Sequence, residues 1–452
     1  MEYGRKLKAV SQLTSGVIPL NKTIAKVKNG IHGTIVIPGD KSVSHRSLML
    51  SALCDGQTVH VNNFLRSADC LSTLEAVRAL GVTVKENEDN SLDITGVGLH
   101  GLQEPKTIVD AGDSGTLLRL MMGLLATQPF LTTFTGDAAL HKRPMGRVIK
   151  PLEMMGAKIV GRKNNTLLPI TILPNEGKNF HGITYEMPVA SAQVKSAILL
   201  AALTAGVEVK IIEPVPSRNH TECMMRAFGV NVETNGNEVI FHPAESLKGP
   251  ETIEVPGDIS SAAFWLVAGS IIPNSSIVLK NVGVNPSRTG ILDVLRDMGA
   301  DITETNRYES GGEAIADLHV KSAKLHGTTF GRDIMPRLID EIPIIAVAAL
   351  FAEGETRITG AEELRVKETD RLHAIAEEFN KLAPAITELE DGLIIKGGLP
   401  LKKSEAFSYD DHRIAMALAI AGAAGEGVEI SHPECVNISY PEFYDTLSNV
   451  QN

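Results

Sequence analysis

The sequence predicts a two-domain α/β protein of six repeated units, three per domain, each placing a buried helix inward. Three observations predict it. First, residues 37–81 align without a gap on residues 255–299: Pro38-Gly39-Asp40 falls on Pro256-Gly257-Asp258, Ser42 on Ser260, Asn63 on Asn281, Leu74 on Leu292, and Arg78-x-x-Gly81 on Arg296-x-x-Gly299. The chain is therefore two related halves. Second, a helical pattern ending in Gly and followed by a β-like run recurs at Leu74 to Val84, Leu152 to Val160, Met224 to Val232 and Leu292 to Ile302. Its glycines (Gly81, Gly156, Gly229 and Gly299) stand where a helix C-cap belongs. A weaker fifth copy ends near Asn380, and a sixth, Pro441 to Val450, closes the chain. Third, a helix with a polar start and an apolar body precedes each copy, as in Ala197 to Ala205 and Ile344 to Ala352. A helix that is apolar on every face is buried.

In chain order, residues 1–30 read as a variable N-terminal extension, polar and basic, without the apolar core of a signal peptide. A strand-like run from Gly33 to Ile37 leads through Pro-Gly-Asp into a helix that is apolar from Ser47 to Leu53. The Pro-Gly-Asp segments at 38–40 and 256–258 are natural crossing points between domains. They divide the chain into a discontinuous domain, 1–38 plus 257–452, and an inserted one, 39–256. Inner helices begin near Ser42, Ser114, Ser191, Ser260, Asp340 and Asp411. The other helix of each unit is amphipathic, as in Leu292-x-x-Leu295-Arg296-Asp297-Met298, and faces solvent. Short alternating strands, such as Thr34 to Ile37 and Val207 to Ile212, join the units.

Composition agrees and excludes other classes. A chain of 452 residues calls for more than one domain. With 43% hydrophobic residues but only 4% aromatics, its core is built of Ala, Leu, Ile and Val, which suits α/β layers. A formal charge of −11 argues against a nucleic-acid partner for the whole surface, while leaving room for a local basic cleft. Cys54, Cys70, Cys223 and Cys435 lack the spacing of a zinc site or a disulfide framework, so no metal is expected. No apolar run is long enough to span a bilayer, and a soluble cytoplasmic protein is expected.

The chemistry gathers at the starts of the inner helices, where unpaired N–H groups and the helix dipole favour anions. The first start holds Lys41, Ser42, Ser44 and Arg46; the second holds Asp113-Ser114-Gly115-Thr116, with Arg119 a turn later. The third holds Ser191-Ala192-Gln193 and Lys195, and the sixth Asp411-His412-Arg413. The fourth, Asp258-Ile259-Ser260-Ser261, and the acidic fifth, Asp340-Glu341, lack a cation. If the inner helices of each domain run parallel, two facing domains enclose an anion-attracting cleft. Loops add further charge at His141 to Arg147, at Ser217-Arg218-Asn219-His220 and at Arg365 to Arg371. Arginine suits bidentate recognition of carboxylate or phosphate. Asp340 and Glu368 cannot serve anions directly, but they could accept hydroxyl hydrogens or move protons. Asp370, Asp411 and Glu222 could orient arginines. No phosphate-binding P-loop or nucleophile elbow is present, and His45, His220 and His412 are too scattered for a metal triad. The residues alone describe an enzyme that binds small polyanions between two domains and uses acid/base groups.

Six motifs, in order, carry a more specific resemblance. They are Gly39-Asp40-Lys41-Ser42, Arg143-Pro144-Met145, Ser191-Ala192-Gln193-Val194-Lys195, Arg218-Asn219-His220-Thr221-Glu222, Arg365 to Arg371, and Asp411-His412-Arg413. From about Gly33 onward the chain resembles the 5-enolpyruvylshikimate-3-phosphate synthase family, and its Ser-Ala-Gln-Val-Lys and Arg-Asn-His-Thr-Glu forms look like the class II branch. The resemblance implies an inside-out α/β barrel of βαβαββ units in two domains that close around their substrates, with no metal or organic cofactor. It implies transfer of the enolpyruvyl group of phosphoenolpyruvate to the 5-hydroxyl of shikimate 3-phosphate, on the route to chorismate and the aromatic amino acids. UDP-N-acetylglucosamine enolpyruvyltransferases share the fold and the donor, and a non-catalytic paralogue that only binds polyanions is a further alternative. A monomer is expected, because the site fits within one chain.

Carried over by motif, the resemblance places Lys41 between both substrates. Ser42 and Arg46 would hold the shikimate carboxylate. Ser191, the backbone of Ala192, and Arg218 would hold its phosphate, with Gln193 alongside; Asp340 and Lys367 would bind the ring hydroxyls. Gly115, Arg143 and Gln193 would surround the phosphoenolpyruvate phosphate, and Arg371 and Arg413 its carboxylate. Asp340 would take the hydroxyl proton, and Glu368 would move the proton at the enol carbon, with Lys41 contributing. The chain departs from the family pattern in having Ile438 where many members have Lys, Ala192 where other branches have Ser, Asp113 where Asn is common, and Ser287 in an Asn-Pro-Thr-Arg pattern. Gly115 keeps the small residue that leaves room for glyphosate, which is expected to compete with phosphoenolpyruvate.

Overall fold

The computed structural model describes residues 21–175 and 179–451. Among the described residues the strands form five four-stranded sheets and one three-stranded sheet. The repeating unit is clearest at Val109–Asp110, helix Gly115–Leu125, Thr132–Thr135, helix Gly146–Met155, Ile159–Gly161 and Leu167–Ile172. Its first strand runs parallel to the second, while the fourth lies antiparallel between the second and the third. The same strand order recurs from Thr184–Glu186 and again from Thr329–Phe330. This is the expected βαβαββ plan.

The leading unit of each half exchanges its first strand with the other half. His32–Val36 runs toward the first inner helix yet pairs in parallel with Ser276–Gly283. Thr252–Glu254 runs toward the fourth inner helix yet pairs in parallel with Asp55–Asn62. The chain crosses at the two Pro-Gly-Asp segments, which bond to each other: Asp40 N donates to Pro256 O at 2.7 Å, and Asp258 N to Pro38 O at 2.8 Å. The crossing requires glycine, because a Cβ on Gly39 would lie 2.0 Å from Asn63 O and one on Gly257 would lie 2.8 Å from Ile37 Cβ.

The reading of residues 1–30 as an extension needs correction. Residues 1–20 lie outside the described residues, but Asn21–Ile24 pairs antiparallel with Val428–Ser431 and completes the sheet of the sixth unit. Ile24 and Val27 are buried in that half's core.

Six inner helices, Lys41–Ala52, Gly115–Leu125, Ala192–Ala205, Ile259–Ile271, Ile342–Phe351 and His412–Ala424, pack in two groups of three. Two separate apolar cores result, one between Val43 and Val255, the other from Ile24 to Ile37 and Ile259 to Val450. The helices are buried around their circumference because Ala and Leu occupy every face; residues 197–203 are all buried. The first and fourth inner helices begin next to Ser42 and Ser260, and their caps are Asp40, whose Oδ1 accepts from Val43 N at 2.9 Å, and Asp258, which accepts from Ser260 N at 2.8 Å. A carboxylate accepts a charge-assisted bond from a helix N-terminus, so aspartate outcompetes the serine that follows it. Gly81, Gly156, Gly229 and Gly299 end the outer helices at φ of +90°, +111°, +81° and +93°. The fifth outer helix, Arg371–Leu382, ends at an extended Ala383, which is why its repeat is weak in sequence.

Candidate active site

Helix N-termini from both halves open onto one cleft of about 580 Å³. Lys41, Ser42, Arg46, Gly115, Arg143, Ser191, Ala192, Gln193, Arg218, Asp340, Glu368, Arg371 and Arg413 all line it. Lys367 stands just behind, its Nζ 3.3 Å from Asp340 Oδ1. Residues far apart in sequence are thus brought together because each sits near the start of an inner helix, in a loop beside one or, for Arg371, at the start of the fifth outer helix.

On the inserted half, Lys41 is the first residue of its helix and pairs with Asp69, from the first turn of the neighbouring outer helix Ala68–Ala79. Burial works against the Lys41 ammonium, but the Asp69 carboxylate outweighs it and holds the pKa above its ordinary value. Arg46 is held on three sides: Nε donates to Thr221 Oγ1 at 2.7 Å, Nη2 to Ser196 Oγ at 2.8 Å and Nη1 to Ser42 O at 2.9 Å. Burial lowers its pKa to about 10. Arg119 Nη1 donates to Gln193 Oε1 at 2.8 Å, and Gln193 Nε2 donates to Thr116 Oγ1 at 3.1 Å. Burial, together with repulsion from Arg143 and Arg147, brings Arg119 down to about 10. A Cβ on Gly115 would meet Arg119 Nη1 at 2.7 Å and Arg143 Nη2 at 3.2 Å. Glycine therefore lets two guanidiniums crowd one helix start, an arrangement that an incoming anion relieves.

On the facing half, Asp340 stands among cations: Arg218 Nη2 at 2.5 Å, Lys367 Nζ at 3.3 Å and Arg371 Nη1 at 3.5 Å. Burial alone would raise its pKa, but Lys367, Arg218, Arg413 and Arg371 hold it well below the usual carboxylate range. Arg371 also reaches Glu368 Oε2 at 2.8 Å and Asp411 Oδ2 at 2.7 Å. Glu368 is likewise held low against its burial, by Arg371, His412 and Lys367. Both carboxylates are ionised here. Asp370 pairs with Arg365 at 2.9 Å and Asp411 with Arg371, so both orient arginines as expected.

Lys195 does not belong to the cleft. It is buried between Glu213 at 2.8 Å and Glu222 at 2.7 Å, so Glu222's direct partner is a lysine and not an arginine. Position four of a helix turns its side chain away from the N-terminal opening, which spacing alone did not reveal. Asp69 and Arg288 line the cleft and were not anticipated. Asp69 carries no local signal beyond a first-turn acid on a helix. Ile438 lines the cleft with an apolar side chain, and Asp113 lines it with a carboxyl 3.8 Å from Arg143 Nη1. Among the described residues, no group of three or more His, Cys, Asp or Glu is placed to hold a metal ion, and no helix is long and apolar enough to cross a membrane.

A family model described as EPSP synthase (3-phosphoshikimate 1-carboxyvinyltransferase) matches residues 26–447. The chain is 50% identical over 423 residues to the 3-phosphoshikimate 1-carboxyvinyltransferase of Thermoanaerobacter sp. (strain X514), covering 93% of this chain and 98% of that protein. It is 51% identical over 424 residues to the protein of that name from Crocosphaera subtropica, covering 93% of each. Among solved structures, an EPSP synthase from Acinetobacter baumannii superposes with a TM-score of 0.86 at 43% identity, covering 95% of this chain and 97% of that one. The enolpyruvyl transferase NikO from Streptomyces tendae, at 15% identity and a TM-score of 0.74 over 95% of this chain and 96% of that one, shares the fold.

Proposed function

The chain belongs to the EPSP synthase family, whose reaction transfers the enolpyruvyl group of phosphoenolpyruvate to the 5-hydroxyl of shikimate 3-phosphate, and from that premise we propose how its own residues divide the work. The observation that carries the reading is the convergence of cations from both halves on one cleft with the ionised carboxylates of Asp340 and Glu368 inside it.

Ser42 and Arg46 take the shikimate carboxylate. Ser191, the Ala192 backbone, Gln193 and Arg218 take its phosphate, and Asp340 and Lys367 take its ring hydroxyls. Gly115, Arg143 and Gln193 surround the phosphoenolpyruvate phosphate, and Arg371 and Arg413 its carboxylate. Lys41 lies between the two substrates.

The reaction is addition followed by elimination. Asp340 accepts the 5-hydroxyl proton as that oxygen bonds to C2 of phosphoenolpyruvate, and C3 gains a proton to become a methyl group. Loss of a methyl proton then reforms the double bond as the C2–O bond to phosphate breaks. Glu368 is the carrier at C3. Paired with Arg371 it holds no proton, but a substrate carboxylate on Arg371 takes its partner and sets a like charge beside it. Both effects raise its affinity for a proton. The surrounding cations stabilise the charge that develops, and the cleft holds the reactants in register.

The domain boundaries, 1–38 plus 257–452 and 39–256, are part of this proposal, supported by the two cores and the crossing at Gly39 and Gly257. A cytoplasmic monomer is the accompanying reading, since one chain supplies every lining residue named. The test is phosphate release from phosphoenolpyruvate with shikimate 3-phosphate, with UDP-N-acetylglucosamine as the control acceptor. Release with the shikimate acceptor alone is expected; release with the sugar nucleotide alone, or with neither, overturns the reading.

A further inference from the structure

Asp113 stands in the cationic corner made by Gly115, Arg119 and Arg143, just before the Ser114 cap of that helix. Its carboxyl reaches Arg143 Nη1 only at 3.8 Å, beyond hydrogen-bond distance, and among the described residues nothing donates to it. The backbone holds it in place: Gly115 N donates to Asp113 O at 2.9 Å, and Ser114 N to Ala111 O at 2.9 Å. The charged groups that act on it are Asp137 from the loop beyond the second strand of its unit, Asp69 from the first outer helix, Glu368 from the opposite half, and the opposing Arg143. Burial and Asp137 lift its pKa to about 6, against the pull of Arg143.

A phosphate drawn to Arg143 and the Gly115 helix start comes against this carboxyl. An ionised carboxyl would repel it, whereas a neutral one donates a hydrogen bond to it. We propose that Asp113 is a proton-taking contact for the phosphate of phosphoenolpyruvate: the carboxyl takes a proton from solvent as the phosphate enters and gives it in a hydrogen bond to a phosphate oxygen. The inference rests on the placement of that phosphate given above. Between the pH at which the free carboxyl ionises and the pH, about one unit higher, at which the phosphate-bound carboxyl does, binding takes up an extra proton and affinity falls as pH rises. An asparagine at this position supplies an N–H donor at every pH and takes up none.

Phosphate release by the wild-type protein with both substrates comes first. Its absence overturns the functional reading itself, and the Asp113 role with it. The decisive measurement is KM for phosphoenolpyruvate in wild type and Asp113→Asn from about pH 5.5 to about pH 8.5. The substrate's own titration is common to both and cancels in the ratio. The wild-type to variant KM ratio is expected to rise on the order of tenfold across this range. Turnover with a flat ratio overturns the Asp113 role and leaves the function standing. If Asp113→Asn does not fold, sulfate serves as the probe in wild type, since it stays fully ionised over the range. Its inhibition constant against phosphoenolpyruvate is expected to rise with pH by a similar factor, and a constant value overturns the proposal.

Discussion

Asp40 and Arg288 are 248 positions apart in the chain, yet the Asp40 Oδ2 carboxylate oxygen and the Arg288 Nη1 guanidinium nitrogen lie 3.4 Å apart at the crossing of the two halves. The same guanidinium reaches Asp258, the repeat counterpart of Asp40, at 3.4 Å, Ser260 Oγ at 2.6 Å and His220 Nε2 at 3.4 Å. One buried cation thus serves the caps of the leading inner helix in both halves. Arg288→Met leaves two buried carboxylates without it and is expected to cost about 3–5 kcal/mol, because removing one partner of a buried pair strands the other. Urea denaturation checks this; an unchanged midpoint would show that water replaces the guanidinium.

Lys195→Met is expected to lower stability by a similar amount, about 3–5 kcal/mol, by stranding Glu213 and Glu222. A thermal melt records the loss. KM for either substrate is expected to move little in the folded fraction, which separates this lysine from the cleft cations. A large rise in KM with an unchanged melting temperature would place Lys195 in the site after all.

Gly115→Ala puts a methyl 2.7 Å from Arg119 Nη1 and 3.2 Å from Arg143 Nη2. The guanidiniums must move, and KM for phosphoenolpyruvate is expected to rise roughly tenfold, about 1.4 kcal/mol. Glyphosate, expected to compete for the same corner, should lose affinity in parallel. Steady-state inhibition against varied phosphoenolpyruvate tests both, and inhibition that phosphoenolpyruvate cannot relieve would refute the competition.

Asp340 and Glu368 have folded-state pKa values below their unfolded ones. A depressed carboxylate contributes stability above its unfolded pKa of about 4 and loses it as pH falls through the folded value. Stability is therefore expected to drop on acidification below about pH 4, and Asp340→Asn to show a shallower acid slope. Denaturation midpoints from neutral to acid pH measure this. The same variant removes the proposed base and is expected to lose kcat by at least a hundredfold; near-normal turnover would take Asp340 out of the chemistry.

The chain by itself determined the repeat, the two halves, the crossing segments and most of the cleft. Those features are local: a helix apolar on all faces between Ala197 and Ala205 has to be buried, a Pro-Gly-Asp turn recurs wherever its geometry recurs, and each site cation lies within a few residues of a helix start. What lay beyond its reach depended on partners distant in sequence. Asn21–Ile24 looks like a tail until Val428–Ser431 supplies a strand edge for it. Lys195 sits at a helix start like Lys41, but the pitch of the helix turns one toward buried glutamates and the other toward the cleft. The charge state of Asp113, Asp340 and Glu368 was likewise decided only by folding. A carboxyl's proton affinity is set by burial and by the charges within a few ångströms of it, and those charges come from both halves of the molecule.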